Sequence, residues 1–145
     1  MSVGQICVRQ LDIISPLDSI RTAAARLRDH MVGSLIVAEP VGAPMGILTD
    51  RDIAVRVVAA GLDPDETNVQ EVMTKAPRVV REDTPIEAAL EQMRAGPHRR
   101  LPVVDDKGEL VGVISLDDIL DLLAEEFNLI GELLRRENPT KLSAV

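Results

Sequence analysis

Two short segments of the chain each place a hydroxyl side chain three residues before an aspartate, a spacing that suits a phosphorylated sugar. The first is Thr49 with Asp52, and the second is Ser115 with Asp118. The start of a helix has unpaired N–H groups and the positive end of the helix dipole, so a phosphate can bind there with the hydroxyl as a further donor. A carboxylate repels phosphate but accepts hydrogen bonds from ribose hydroxyls. The same spacing is also a variant of the capping box, which would do no more than begin two helices.

A bound phosphate requires positive charge nearby, and four side chains are the nearest candidates by sequence: Arg51, His98, Arg99 and Arg100. The alternative for residues 98–100 is a solvated loop without a ligand. The corresponding place before the first site is occupied by Val32, Gly33 and Ser34, which carry no charge. If both sites form, they should therefore differ in the number of phosphates that they prefer.

Both segments belong to an internal duplication, in which residues 3–53 and 69–119 align without a gap at an offset of 66. Ten of the 51 aligned positions are identical, and they fall on predicted core positions and turns and on the acid Asp52/Asp118. A period of 66 is longer than the roughly 20 to 50 residues of solenoid and propeller repeats. We therefore expect two copies that face each other across a pseudo-two-fold axis, with a ligand cleft between them.

Each copy contains an amphipathic helix with apolar residues at positions i, i+3, i+4 and i+7. In the second copy Thr84 is the predicted N-cap, with Pro85 and Glu87 in the first turn. Asp18 takes the equivalent place in the first copy. A further helix is predicted after Thr49 and after Ser115, since both hydroxyl residues suit an N-cap position.

Short apolar runs on either side of these helices predict the strands. The predicted strands are residues 13–14, 35–38 and 45–48 in the first copy and residues 79–80, 101–104 and 110–114 in the second. Gly42 and Gly108 lie in the hairpin connections and suit a positive φ angle. Gly61 is the predicted end of the first copy's last helix.

This order predicts an α+β fold of two βαββα repeats related by a pseudo-two-fold axis, with the two sheets packed against each other. The predicted divisions are a first repeat with linker over residues 1–66, a second repeat with an extended C-terminal helix over residues 67–137, and a flexible tail over residues 138–145. The last helix carries an apolar stripe: Leu120, Leu123, Phe127, Ile130 and Leu134. The stripe either packs on its own domain or forms a dimer interface.

The amino-acid composition argues against several classes of function. The net charge is −8 and Phe127 is the only aromatic residue, which argues against binding of duplex or single-stranded nucleic acid. One cysteine, Cys7, cannot form an internal disulfide, and two histidines cannot build a structural zinc site. With no 18-residue apolar run and no signal-peptide pattern, we expect a cytoplasmic protein without a membrane partner.

Catalysis is not expected. Cys7, His30 and His98 lie far apart in the sequence, and no motif joins any of them to a nucleophile and base. Acidic pairs such as Asp117 with Asp118 suit helix starts better than catalytic roles.

Several motifs together resemble a tandem pair of CBS domains, the Bateman module. They are Gly-Ile-Leu-Thr49-Asp-Arg-Asp52-Ile, Gly-Val-Ile-Ser115-Leu-Asp-Asp118-Ile, Glu71-Val-Met-Thr74 and Arg99-Arg100-Leu-Pro-Val-Val-Asp105. The resemblance covers the chain from about Val3 to about Leu134. One departure is that the first copy begins Cys7-Val8-Arg9 where the second has Met73-Thr74-Lys75.

The resemblance implies a regulatory module that binds adenosine-containing ligands in clefts between the repeats. It implies that Thr49 and Ser115 contact phosphate and that Asp52 and Asp118 bind the ribose. The base would lie against residues of the strands: Ile14, Ser34, Leu35, Ile36, Val80, Leu101, Pro102 and Val103. Such pairs commonly form homodimers.

The expected function is a stand-alone sensor of AMP, ADP, ATP or NAD, with or without Mg²⁺, that has no obligatory cofactor and signals to an unknown regulated protein. One alternative is a ligand-free interaction or assembly module whose last helix docks a partner. Another is a module that binds S-adenosylmethionine, whose sulfonium would suit the acidic surface.

Overall fold

The computed structural model describes residues 1–75 and 78–137, which form two repeats with the same order of elements. The first repeat contains α1 (Val3–Ile6), β1 (Ile13–Ile14), α2 (Ile20–His30), β2 (Ser34–Val37), β3 (Gly46–Thr49) and α3 (Asp50–Ile53), followed by a π-helical turn over Ala54–Val58. The second contains α4 (Val69–Val72), β4 (Thr74–Lys75), β5 (Val80–Arg81), α5 (Ile86–Ala95), β6 (Arg100–Val104), β7 (Leu110–Ser115) and α6 (Leu116–Glu137). The predicted α+β fold of two βαββα repeats is confirmed. The predicted tail, residues 138–145, lies outside the described residues.

The strands form two sheets, in the orders β1-β2-β3-β4 and β5-β6-β7. In each repeat the first strand runs parallel to the second, and the second pairs antiparallel with the third. The registers place Ser34 opposite Thr49 and Arg100 opposite Ser115. Each hydroxyl residue of the sequence motif therefore ends its strand beside the first residue of the neighbouring strand.

The first segment of each repeat is exchanged, so that it packs on the other repeat. Thr74 pairs antiparallel with Ile47 of the first repeat. At the equivalent place, Val8 pairs with Val113 of the second. The exchange joins the two repeats through backbone hydrogen bonds as well as side-chain packing.

Gly46, the first residue of β3, and Gly112 in β7 make room for these exchanged segments. A Cβ on Gly46 would lie 2.7 Å from Thr74 O, and one on Gly112 would lie 3.0 Å from Val8 O. Real Cβ atoms are not found as close to a backbone oxygen as 2.7 Å, so only glycine fits at position 46, and at position 112 a side chain would require the incoming segment to shift. The glycine of the sequence motif thus serves the contact between repeats.

The core consists of two clusters, each of which contains side chains from both repeats. Leu35 and Leu48 pack in the first cluster together with Val69 of α4. Val103 packs in the second cluster together with Val3 of α1. All five side chains are almost completely buried. A fully buried aliphatic side chain contributes about 1.5–3 kcal/mol, so each exchanged segment adds appreciably to the stability of the repeat that receives it.

Both amphipathic helices begin two residues after their predicted N-cap. Asp18 and Thr84 accept hydrogen bonds from the backbone N–H groups of Ser15 and Arg81, three residues before them, and so close the turn that precedes each helix. The N-caps are Ser19, whose hydroxyl accepts from Thr22 N–H, and Pro85.

Contacts with the other repeat accompany these later starts. The first N–H group of α2, on Ile20, donates to Thr67 O, and that of α5, on Ile86, donates to Met1 O. Backbone carbonyl groups of the other repeat therefore accept hydrogen bonds from helix N–H groups that a local N-cap side chain would otherwise satisfy.

The turn predictions agree with the backbone, and the boundaries of the predicted strands differ from those in the structure by at most one residue. Gly42, Gly61 and Gly108 all have positive φ angles, of 134°, 72° and 82°. β3 and β7 each extend one residue further than predicted, as far as the hydroxyl residues Thr49 and Ser115.

α6 breaks the symmetry between the repeats, because it is 22 residues long. Its apolar stripe is exposed: Leu120, Leu123, Phe127, Ile130 and Leu134 each keep between 41% and 71% of their accessible surface. The described part of the chain therefore does not cover the stripe. No helix in residues 1–75 and 78–137 is long and apolar enough to cross a membrane.

Candidate functional site

The loop before the second strand of each repeat is fixed against the start of the helix that follows the third strand. Asp50 N–H donates to Gly33 O at 3.0 Å, and Leu116 N–H donates to Arg99 O at 2.9 Å. These pairs occupy equivalent positions in the two repeats. The loops and the two hydroxyl–acid motifs are therefore held side by side.

Both hydroxyl–acid motifs form reciprocal hydrogen bonds with their own backbone. Asp52 N–H donates to Thr49 Oγ1 at 3.1 Å, and Thr49 N–H donates to Asp52 Oδ2 at 3.0 Å. Ser115 and Asp118 make the same pair of bonds, at 3.2 and 2.8 Å. The capping-box interpretation is confirmed for both motifs, and it leaves the hydroxyl hydrogen and one carboxylate oxygen available for other partners.

The two motifs differ in the contacts made by the hydroxyl hydrogen and by the carboxylate. Ser115 Oγ donates its hydrogen to Asp118 Oδ2 at 2.8 Å. Among the described residues, Thr49 Oγ1 donates to no acceptor, whereas Asp52 Oδ1 lies 3.6 Å from Arg56 Nη2. The Thr49 hydroxyl is therefore the one that can donate to a ligand without breaking a bond to its aspartate.

Arg56 joins the first motif to the exchanged segment of the second repeat. It lies in the π-helical turn after α3 and donates through Nη1 to Val72 O at 2.8 Å and to Thr74 Oγ1 at 3.4 Å. The Asp52 side chain keeps only 11% of its accessible surface. A neighbouring guanidinium offsets the cost of burying that carboxylate.

A cavity of about 630 Å³ opens beside the Thr49 motif, between the two repeats. It is lined by Gly33, Ser34, Ile47, Thr49, Asp50, Arg51, Asp52 and Arg56 of the first repeat and by Thr74, Pro97, His98, Arg99 and Arg100 of the second. A volume of this size is typical of small-molecule sites. The lining combines three hydroxyls, two carboxylates and four guanidinium groups.

A smaller cavity of about 140 Å³ adjoins the first, since both are lined by Ile47, Thr74, Pro97, His98 and Arg100. Arg78, Gln92, Gly96 and Leu101 complete its lining. His98 lies between the two cavities, and its Nε2 atom is buried without a hydrogen-bond partner among the described residues. A buried polar atom without a partner is unusual in a folded protein and is explained by a missing ligand or water.

The structure brings together about half of the residues predicted from the sequence. Seven of them line the larger cavity: Ser34, Thr49, Arg51, Asp52, His98, Arg99 and Arg100. Leu101 lines the smaller one. The cations before β6 thus face the hydroxyl–acid motif of the other repeat, because the repeats oppose each other across the axis.

The remaining predicted residues lie elsewhere. Ile14, Leu35, Val80 and Val103 are buried in the two core clusters. Ile36 and Pro102 are also buried, and neither lines either cavity. Ser115 and Asp118 line neither of the two cavities.

Sequence analysis missed several lining residues, chiefly Arg56, Asp50 and Ile47. Arg56 follows Asp52 by four residues on a predicted helix, and this i, i+4 spacing was a signal that could have found it. Gln92 and Arg78 approach the smaller cavity only through tertiary packing, and no local pattern marks them. Among the described residues, no group of three or more His, Cys, Asp or Glu side chains is placed to hold a metal ion.

Comparison with known proteins gives matches over both repeats. The family model of the CBS domain matches residues 3–59 and again residues 69–125. The CBS domain-containing protein YhcV of Bacillus subtilis is 38% identical over 118 residues, which cover 81% of this chain and 82% of YhcV. An uncharacterized protein of Methanopyrus kandleri is 34% identical over 84% of this chain, and the matched part spans 62% of that protein's length.

A solved structure is similar over nearly the same range. The CBS domain protein PAE2072 from Pyrobaculum aerophilum, in complex with AMP, is 30% identical and superposes with a TM-score of 0.73. The match covers 81% of this chain and 89% of PAE2072.

Proposed function

Since this chain belongs to the CBS-domain family, with a match in each of its two repeats, we propose that it is a regulatory module that binds an adenine nucleotide in the cleft between them. The observation that carries the proposal is the cavity beside Thr49, in which an available hydroxyl, a nearly buried carboxylate and several arginines meet. The AMP complex of PAE2072 supports the class of ligand.

Each part of a nucleotide has a matching group in the cleft. The Thr49 hydroxyl donates to the phosphate, and the arginines of the lining supply positive charge. Asp52 accepts from the ribose hydroxyls through Oδ1, in exchange for its long contact with Arg56. The smaller cavity takes the base, which packs against Ile47 and Leu101.

S-adenosylmethionine fits this cleft less well than a nucleotide. Four arginines and two aspartates line the larger cavity, so its lining carries an excess of two positive charges. A sulfonium cation would be repelled there. We therefore place it below AMP, ADP, ATP and NAD among the candidate ligands.

Titration calorimetry and thermal unfolding with these five compounds test the proposal. A nucleotide present at about 100 times its Kd should stabilise the protein by about 2.7 kcal/mol. Asp52→Asn should weaken the binding of every adenosine ligand, because the amide accepts one fewer hydrogen bond from the ribose. Absence of binding by all five at millimolar concentration would reject the proposal.

A second proposal concerns assembly, and the exposed apolar stripe of α6 favours it. Leu120, Leu123, Phe127, Ile130 and Leu134 form a contiguous apolar face that the described part of the chain leaves exposed. A surface of this kind marks a protein interface. We propose that it pairs with a second copy of the chain to form a homodimer, through which a nucleotide signal reaches a regulated partner.

A further inference from the structure

The cavity beside Thr49 is a positively charged place in an acidic protein. The chain carries a net charge of −8, yet four arginines and only two aspartates line this cavity. Arg99 and Arg100 come from the second repeat, whereas Arg51 and Arg56 come from the first. The arrangement concentrates positive charge at the cleft between the repeats.

Among the described residues, three of these arginines have no acidic partner. Arg56 lies near Asp52, whereas Arg51, Arg99 and Arg100 make no ion pair within the part of the chain that the structure describes. Most of the other arginines that the structure places in ion pairs are on the exposed surface, such as Arg28 with Asp29. Guanidinium groups that gather in a cleft without ion-pair partners of their own are typical of sites for phosphate groups.

His98 adds a second, independent sign that a ligand binds here. Its Nε2 atom is buried and has no hydrogen-bond partner among the described residues, and the side chain lines both cavities. A bound group at the junction of the two cavities would satisfy this nitrogen.

The equivalent place in the other repeat carries less positive charge. At the offset of 66, Arg51 corresponds to Asp117 and Arg56 to Leu122, whereas the pair Arg99 and Arg100 exchanges with the pair Gly33 and Ser34, all four of which line the Thr49 cavity. The Ser115 hydroxyl, which matches Thr49, already donates to Asp118. Asp117 beside Asp118, in the place that Arg51 takes beside Asp52, disfavours a phosphate.

Building on the proposed nucleotide function, we propose that the Thr49 cavity selects nucleotides with two or three phosphates over the monophosphate, and that the Ser115 motif binds no nucleotide. One chain then binds one nucleotide. The selectivity arises because a terminal phosphate carries a charge of about −1.5 to −2 at pH 7 and each phosphate added before it contributes about one more. The single phosphate of AMP leaves some of these arginines without an ion-pair partner, whereas the additional phosphates of ADP and ATP form ion pairs with them.

Calorimetric titrations of the full chain with AMP, ADP, ATP and inorganic tripolyphosphate test this proposal. We expect ATP to bind at least about tenfold more tightly than AMP, which corresponds to about 1.4 kcal/mol, with one site per chain. Arg51→Gln and Arg99→Gln should each weaken ATP by about fivefold while changing AMP by less than about twofold. Arg28→Gln is the matched control at an exposed, paired arginine, and thermal unfolding shows that each variant is folded.

The outcomes separate the two proposals. Equal affinities for AMP and ATP, arginine variants that do not lower the ATP preference, or two nucleotides per chain would each overturn the selectivity proposal while nucleotide binding stands. If tripolyphosphate binds in an Arg99-dependent way and no adenosine compound does, the anion site exists but the adenosine function is wrong. If neither tripolyphosphate nor any nucleotide binds, both proposals fail.

Discussion

Arg100 and Ser34 occupy the same position in the two repeats and contact each other, with Arg100 Nη1 donating to Ser34 Oγ at 3.2 Å. Two equivalent residues can touch only where the pseudo-two-fold axis passes between them. The pair therefore marks the axis, and both residues line the proposed nucleotide cavity. Arginine occupies this position in only one of the two repeats. The positive charge at the axis therefore comes from the second repeat of an otherwise symmetric fold.

The two capping residues allow the structural and binding roles of the motif to be separated. Thr49→Ala and Ser115→Ala should each lower the free energy of unfolding by about 1 kcal/mol, because each removes an N-cap hydrogen bond. Only Thr49→Ala should weaken nucleotide binding, by about five- to tenfold, since only that hydroxyl lines the cavity. Urea denaturation and calorimetry measure the two effects. Equal losses of affinity in the two variants would contradict the assignment, and Thr49→Ser should restore binding.

Gly46→Ala should destabilise the protein by about 1–3 kcal/mol, because the added methyl group overpacks the contact between repeats. A Cβ there would lie 2.6 Å from Met73 Sδ and 2.7 Å from Thr74 O. Gly131→Ala is the matched control: it lies in α6 with nothing within 4 Å of the added Cβ, and it should raise stability by about 0.5–1 kcal/mol through helix propensity. If Gly46→Ala were as stable as the natural protein, β4 would not pack as closely on β3 as described.

Phe127→Glu should convert the proposed homodimer into a monomer, because it places a charge in the centre of the exposed stripe of α6. Light scattering after size-exclusion chromatography measures the mass, and the unfolding temperature of the natural protein should rise with protein concentration. Glu125→Ala, also in α6, provides the control and should leave the dimer intact. A natural protein that is monomeric at all concentrations would reject the dimer.

Cys7 should react slowly with iodoacetamide at pH 8. Burial raises the pKa of the Cys7 thiol above its usual value, so at pH 8 a smaller fraction is present as the reactive thiolate than in the unfolded chain. The pH at which the alkylation rate reaches half its maximum should therefore be higher in the folded protein than in urea. Because Cys7 is the only cysteine, mass spectrometry follows the reaction directly. Equal rates in the two states would show that the thiol is not protected.

Local pattern was enough to predict the order strand, helix, strand, strand, helix in each repeat, although it did not predict the short helices α1 and α4 or the strand β4. The duplicated spacing around Gly46 and Gly112 indicated a strand that runs into a helix, and the hydroxyl–acid motifs cap those helices as expected. Gly42 and Gly108 were predicted in turns because only a positive φ angle closes those hairpins comfortably, and both have one. These features depend on residues within one or two turns of each other.

The features that the sequence did not reveal depend on contacts between the repeats. Ser19 rather than Asp18 caps α2, next to an Ile20 N–H group that bonds to Thr67 in the other repeat. The sequence predicted that the two sites would differ, but it did not reveal that Arg99 and Arg100 line the cavity of the Thr49 motif, because that depends on which loop faces which helix. The spacing of residues within one repeat carries no information about which side chains of the other repeat lie opposite it.

The exchange of the first segments sets the order in which the two cores can be completed as the chain leaves the ribosome. The first cluster needs side chains only up to Met73, so it can close while the second repeat is still being made. The second cluster contains both Val3 and Ile119. The segment around Val3 must therefore wait, without its final packing partners, until synthesis has passed residue 119.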